Sequence, residues 1–231
     1  MTLQKSLSIS IQTDMIEKKV NSRIIILFLG IMYAGTAISQ TVENDFQMRT
    51  ELRLSLKPVN KLQITVITEV RLDETFKADK YLIETGLSYD LLESLSIGAG
   101  YRYIINPREG KSTEYLNRFS LEAEYSKSIQ RWEPSLRIKY TNYTEDASSG
   151  KYFRYRARIE YDIKDCKISP RIAVEAFHDL SSKEMHKMRY SLDARYNLKG
   201  KNSINLGYML DYYIHDNRNK HIVNIGFRHK F

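Results

Sequence analysis

The chain has 231 residues, of which 42% are hydrophobic and 28% charged, and a formal net charge of +8 at pH 7. That apolar share suits one domain with a sizeable core and excludes an intrinsically disordered chain. The basic excess is interleaved with carboxylates and forms no stripe or tail, and no zinc-finger, helix-turn-helix or RNA-binding signature accompanies it, so no nucleic-acid partner is expected. The single cysteine, Cys166, excludes an intrachain disulfide framework and a paired-cysteine metal or redox site.

In chain order, the first feature is a leader. Lys18, Lys19 and Arg23 precede the apolar run Ile24 to Tyr33, and the small residues of Ala34 to Ser39 follow. Basic, apolar and small-residue regions in that order mark a secretory signal peptide over residues 1–39, cut near Ser39/Gln40, with the true start at Met1 or Met15. The apolar run of ten residues falls short of the roughly 20 that a membrane-spanning helix needs. No cysteine follows the cut, so no lipid anchor is expected there.

Residues 40–231 read as one all-β domain. Eleven segments alternate apolar and polar residues: 45–57, 62–73, 81–91, 95–105, 116–126, 132–143, 152–162, 168–177, 188–198, 203–213 and 221–231. In Lys151 to Asp162, for example, Arg154, Arg156 and Arg158 take every second place, with Tyr155, Ala157, Ile159 and Tyr161 between or beyond them. A period of two scatters both classes around a helix but separates them onto the two faces of a strand. Most segments have 10 to 13 residues, close to the roughly 9–11 of a tilted transmembrane strand and about twice the length of a typical soluble one. Short links (VNK, LES, KSIQR, KDCK, KGKN) take turns with longer polar ones: Asn106 to Tyr115, Thr144 to Lys151, His178 to Lys187 and Ile214 to Lys220. Short turns at one end and longer loops at the other fit an outer-membrane barrel with periplasmic turns and extracellular loops. The expected fold is therefore a single antiparallel transmembrane β-barrel of about 10–12 strands, an up-and-down meander. A count of eleven sits awkwardly with the even numbers of bacterial barrels. Either the first segment is no wall strand, or the N-terminus enters the lumen, or a short strand has been missed.

Alternation alone does not say which face is outside; the tyrosines do. Tyr89, Tyr125, Tyr161 and Tyr196 recur at spacings of 36, 36 and 35 residues, and another 35 reaches the terminal Phe231. Each ends the apolar face of a strand that runs into a short turn, and Trp132 begins a strand at the same level, so these six form an expected aromatic girdle. Tyr81, Tyr101, Tyr103, Tyr140, Tyr155, Tyr190, Tyr208 and Tyr212 lie toward the long-loop end. A bilayer boundary suits such rings, whereas a soluble core would have to pair every hydroxyl. The apolar face then meets outer-membrane lipid.

The run DFQMRTELRLSLKPVNKLQITVITEVRLDE, the following KYLIETGLSYDLLESLSIGAGYRY and the closing GFRHKF resemble the Gram-negative outer-membrane barrels grouped as domain of unknown function 2490. The resemblance implies fold and location, and no activity. Phe231, with Ile225 and Phe227 before it, also resembles the C-terminal signal read by the barrel-assembly machinery, an expected partner.

With the apolar face outward, the charged face lines a lumen, where each charge needs a partner. Candidate lumen residues are Arg49 and Arg53, then Arg71, Arg102, Glu122, Glu124, Arg137 and the triplet Arg154, Arg156 and Arg158, and finally Arg171, Glu175 and Arg195. Cations outnumber carboxylates, so a narrow channel or solute-binding barrel for a small anion is expected, with a structural ion-pair filling as the equal alternative. A hydrolase site at the extracellular rim would draw on His178, Asp179, Ser181, Ser182 and His186, but no triad spacing appears and no catalytic residue is assigned. His178, His186, His215 and His221 lack a paired metal-ligand spacing, so neither a metal nor a cofactor is expected. Asn142, Tyr143 and Thr144 spell a glycosylation sequon of little weight in a bacterial chain.

Overall fold

A computed structural model describes residues 43–108, 110–142 and 150–231. The expected signal peptide, and Tyr143 and Thr144 of the sequon, lie outside the described residues. The rest is all β. Eleven strands follow one another: β1 (Glu43–Val59), β2 (Leu62–Leu72), β3 (Ala78–Leu92), β4 (Leu95–Arg108), β5 (Lys111–Ser126), β6 (Trp132–Thr141), β7 (Tyr152–Tyr161), β8 (Ile168–Asp179), β9 (Glu184–Asn197), β10 (Asn202–Tyr213) and β11 (Arg218–Lys230). Each pairs with its chain neighbours, and β1 pairs with β11 to close a barrel.

The closure corrects two expectations. All eleven segments are wall strands, including the first, and the closed ring leaves no gap for a missed strand, so the odd count stands. The barrel is also not wholly antiparallel. In an up-and-down meander with an odd number of strands the first and last run the same way, so their seam is parallel. Glu43 faces Arg218 and Ser55 faces Lys230 along this seam in unbroken register. Parallel bonds are slanted and slightly weaker than antiparallel ones, but they satisfy the same backbone groups. Beyond the last of these pairs, the Phe231 amide donates to the Ser55 carbonyl at 2.9 Å.

The connections differ from the reading of the sequence in one respect. Most of Asn106 to Tyr115 and most of His178 to Lys187, both expected to be long loops, is strand. β4 runs as far as Arg108 and β5 starts at Lys111, and the β8–β9 and β10–β11 connections are four residues each. Polar residues continue the ladder there because barrel strands that run past the apolar belt no longer need apolar outer faces. In the β2–β3 connection, Asp73 accepts from the Thr75 amide (2.8 Å), the Thr75 hydroxyl (2.7 Å) and the Lys77 amide (3.0 Å). Chiefly through the Thr75 hydroxyl, these bonds hold its carboxyl below the usual range. Beside β5, Asn142 extends the ladder with its side chain: its Oδ1 accepts from the Phe119 amide at 2.7 Å.

The two faces separate as the alternation predicts. Exposed on the outer surface are Leu87, Leu121, Leu136, Ile138, Ile172 and Leu206, among many other apolar side chains. Tyr89, Tyr125, Trp132, Tyr196 and Phe231 are exposed at the short-turn end of this belt, with Tyr161 half-buried against Trp132, ring centroids 4.5 Å apart. Tyr81, Tyr101, Tyr155, Tyr190 and Tyr212 are exposed toward the other end. The guanidiniums point inward.

Candidate functional site: a cationic chamber

The lumen has two halves. At the long-loop end it is filled. Gln47, Arg49, Glu69, Arg71, Leu82, Ile104, Arg118, Thr141, Tyr152, Phe177, Lys187, Asp211, Tyr213 and Ile222 are all at most 7% exposed, and every strand contributes at least one of them. Their centre is the Asp211 carboxylate, which accepts from Lys187 Nζ at 2.8 Å and from Arg189 Nε and Nη2 at 2.5 and 2.8 Å. Aromatic faces take the remaining positive charge. The Phe177 ring carries Arg154 at 4.5 Å, Lys187 at 4.8 Å and Arg189 at 5.3 Å, and the Tyr213 ring carries Arg218 at 4.4 Å and Lys187 at 5.1 Å.

Below this layer lies a cavity of about 410 Å³. Its middle tier is a chain of shared carboxylates. Glu175 takes Arg137 at 2.7 Å and Arg154 at 2.9 Å. Glu122 takes Lys139 at 3.1 Å and Arg137 at 3.7 Å. Glu124 takes Arg156 at 3.2 Å and Arg158 at 3.3 Å, and Glu84 takes Arg102 and, at 3.7 Å, Arg118. One carboxylate has the lone pairs to serve two guanidiniums, so seven acids can hold a larger number of cations. The wall accommodates them through inward-facing glycines. A Cβ on Gly207 would stand 2.1 Å from Asp193 Oδ1, and one on Gly98 would stand 3.2 Å from Glu122 Cγ. Both carboxylates thus lie flat on the wall and leave the middle open.

Twelve cations and seven carboxylates line the cavity, a surplus of five positive charges. Accessibility rises toward the short turns, where the Arg53 side chain is 30% exposed, Glu122 30% and Glu133 45%. The chamber is a blind one, open at the short-turn end.

Of the thirteen charged residues expected along the lumen, eleven line this cavity: Arg49, Arg53, Arg102, Glu122, Glu124, Arg137, Arg154, Arg156, Arg158, Arg171 and Glu175. Arg71 is buried above it against Glu69, at 2.6 Å, and Arg195 sits at the mouth against Glu160, at 3.0 Å. The filling aromatics were missed, although parity reveals them. Phe177 has the parity of Glu175, Tyr152 that of Arg154, and Tyr213 that of Asp211. The rim histidines do not converge. His186 packs between the rings of Tyr152 and Tyr213, His215 approaches Glu184 at 3.5 Å and His221 contacts Tyr208 and Asn44. Among the described residues no three His, Cys, Asp or Glu side chains gather as a metal site. Asp179 accepts from the Ser181 amide at 2.7 Å, which makes it a turn-forming carboxylate.

No curated protein matches the chain. A family profile described as "Protein of unknown function (DUF2490)" matches residues 44–221, from the start of β1 into β11. The chain, a closed β-barrel, belongs to this family of proteins of unknown function.

Proposed function

We propose that the protein is an integral outer-membrane barrel that holds a small anionic solute in its arginine-walled chamber, which opens to the periplasm. The outward apolar belt with tyrosines at both margins supports insertion in a bilayer, since a soluble protein rarely exposes so large a contiguous apolar surface. Short turns then face the periplasm, after export by the cleaved leader, and β11 with its terminal Phe231 is the strand offered to the barrel-assembly machinery. Eleven strands fall between the roughly eight that side chains fill and the 16–18 that leave an aqueous channel. A half-filled lumen is what such a diameter allows.

The observation that carries the binding reading is the surplus of five cations around a closed-ended cavity. A pure ion-pair filling would balance its charges, because each unmatched guanidinium in a low-dielectric site costs stability. A solute anion supplies the missing charge, and the filled outer half favours binding over free conduction. The test is calorimetric titration of the detergent-solubilised barrel with inorganic phosphate, beside conductance in planar bilayers. The reading expects saturable, salt-sensitive binding that weakens roughly tenfold or more in an Arg156→Ala/Arg158→Ala variant, with little steady current. Absence of binding, or a large ohmic current through the wild-type barrel, would overturn it.

A further inference from the structure

Resting on that reading, we propose that the anion is anchored at one place, beside Gly226 at the chamber mouth, by Arg228 and Arg171, and that the group held there is a compact oxyanion of the phosphate type. Nearly every guanidinium in the chamber has a carboxylate within reach. Arg228 is different. It makes no hydrogen bond or ion pair among the described residues, and the charges acting on it are three further guanidiniums, Arg53, Arg195 and Arg171, against the carboxylate of Glu51. Arg171 donates through Nη2 to the neutral amide oxygen of Asn205 at 3.1 Å and forms no ion pair. Arg53 and Arg195 are already satisfied by Glu51 at 2.9 Å and Glu160 at 3.0 Å. Arg171 has the Asp193 carboxylate as its direct neighbour on β9, so Arg228 is the guanidinium that an anion would partner, with Arg171 as the second donor.

The register brings them to one spot. Arg171 stands on β8, yet its bond to Asn205 carries its head across β9 to β10. Asn205 is the direct partner of Gly226 on β11, and Gly226 faces Glu51 on β1. Arg228 is the next inward residue along β11, opposite Arg53. Gly226 is buried and puts no side chain between Arg228 and Asn205, where an added Cβ would first meet Glu51 and Asn205 atoms at 3.7–3.8 Å. The result is a seat beside Gly226 with a guanidinium on two sides. Planar donor forks on two sides suit an anion with several oxygens on one atom, whereas a lysine pair would offer point charges without that geometry.

Calorimetry with inorganic phosphate tests the seat, using Arg228→Gln and, to crowd the space between Arg228 and Asn205 without altering charge, Gly226→Leu. Both should weaken phosphate binding roughly tenfold or more, the loss expected for a bidentate charge-assisted contact. Unliganded Arg228→Gln should melt no lower than wild type, because it removes an unpaired charge, and added phosphate should raise the melting temperature of wild type only. If Arg228→Gln binds phosphate as wild type does while Arg156→Ala/Arg158→Ala does not, the seat is wrong and the chamber stands. If Arg228→Gln melts lower and still binds, Arg228 is a structural residue and the proposal fails. A wild-type barrel that binds no phosphate removes both.

Discussion

Asp211→Asn tests the account of the filled outer half. Asp211 is fully buried and neutralises two cations, Lys187 with a wholly buried side chain and Arg189 with one 6% exposed. The amide keeps the shape and one acceptor oxygen but removes the charge, leaving two cations beside two aromatic rings. A charge pair near 4 Å is worth about 4 kcal/mol at an effective dielectric of about 20, and breaking a buried pair costs about 3–5 kcal/mol. Retained hydrogen bonding pulls toward the lower figure, so a loss of about 3 kcal/mol is expected, roughly a hundredfold in the unfolding constant. Urea titration of the barrel in detergent, followed by the fluorescence of Trp132, the only tryptophan, reads this directly. Adding Lys187→Met removes one of the stranded charges and should restore much of the loss. Asp90→Asn is the control, since its pair with Lys57 is 3.8 Å apart and both side chains are about half exposed; the expected change is below about 1 kcal/mol. A loss below about 1 kcal/mol for Asp211→Asn would refute the view of Asp211 as the charge centre of a closed layer.

Three other outcomes follow from the same geometry. Phe177→Ala/Tyr213→Ala removes the rings on which Arg154, Lys187, Arg189 and Arg218 lie; bilayer recordings should then show anion-selective steps absent from wild type, and unchanged silence would place the obstruction elsewhere. Because β1 starts beside Arg218 at the long-loop end while β11 ends beside Ser55 at the short-turn end, the start of β1 and the end of β11 lie at opposite ends of the barrel. An epitope inserted before Glu43 should bind antibody on intact cells and one after Phe231 only after permeabilisation, and the converse pattern would contradict the orientation. Asp73 has a folded-state pKa below its unfolded value, so its contribution to the β2–β3 connection is complete above the unfolded pKa and fades as pH falls through the folded one. Its carboxyl resonance should titrate below that of a model peptide, and a midpoint at or above the peptide's would contradict the Thr75 and Lys77 bonds.

Strand number and face were legible in the sequence because one pattern, apolar side chains on one face and charged ones on the other, recurs with a period of two along β1 to β11. The parallel seam was not, since no residue encodes it; it follows from counting strands and accepting the odd total. Loop lengths were overestimated in Asn106 to Tyr115 and His178 to Lys187 because polarity marks the edge of the apolar belt and says nothing about where pairing stops. The charged lining was readable by parity, but its division into a filled and an open half was not. Phe177, Tyr152 and Tyr213 are aromatic residues on a charged face, and only the packed interior shows that they seat the cations there. Partnering was also hidden. Arg228 and Arg158 look alike along their strands, yet Arg158 reaches Glu124 at 3.3 Å and Arg228 reaches no acid.

The most direct test of the central claim uses adjacent positions on β7. Single-cysteine variants Tyr155→Cys and Arg156→Cys, made in a Cys166→Ser background, carry a fluorophore in bilayer-reconstituted barrels. The account predicts that the label at 155 is quenched by a lipid-dissolved quencher and not by an aqueous one, and that the label at 156 shows the reverse. Equal quenching of both from water, or lipid quenching at 156, would contradict a barrel with its apolar face on hydrocarbon and its arginines around a chamber.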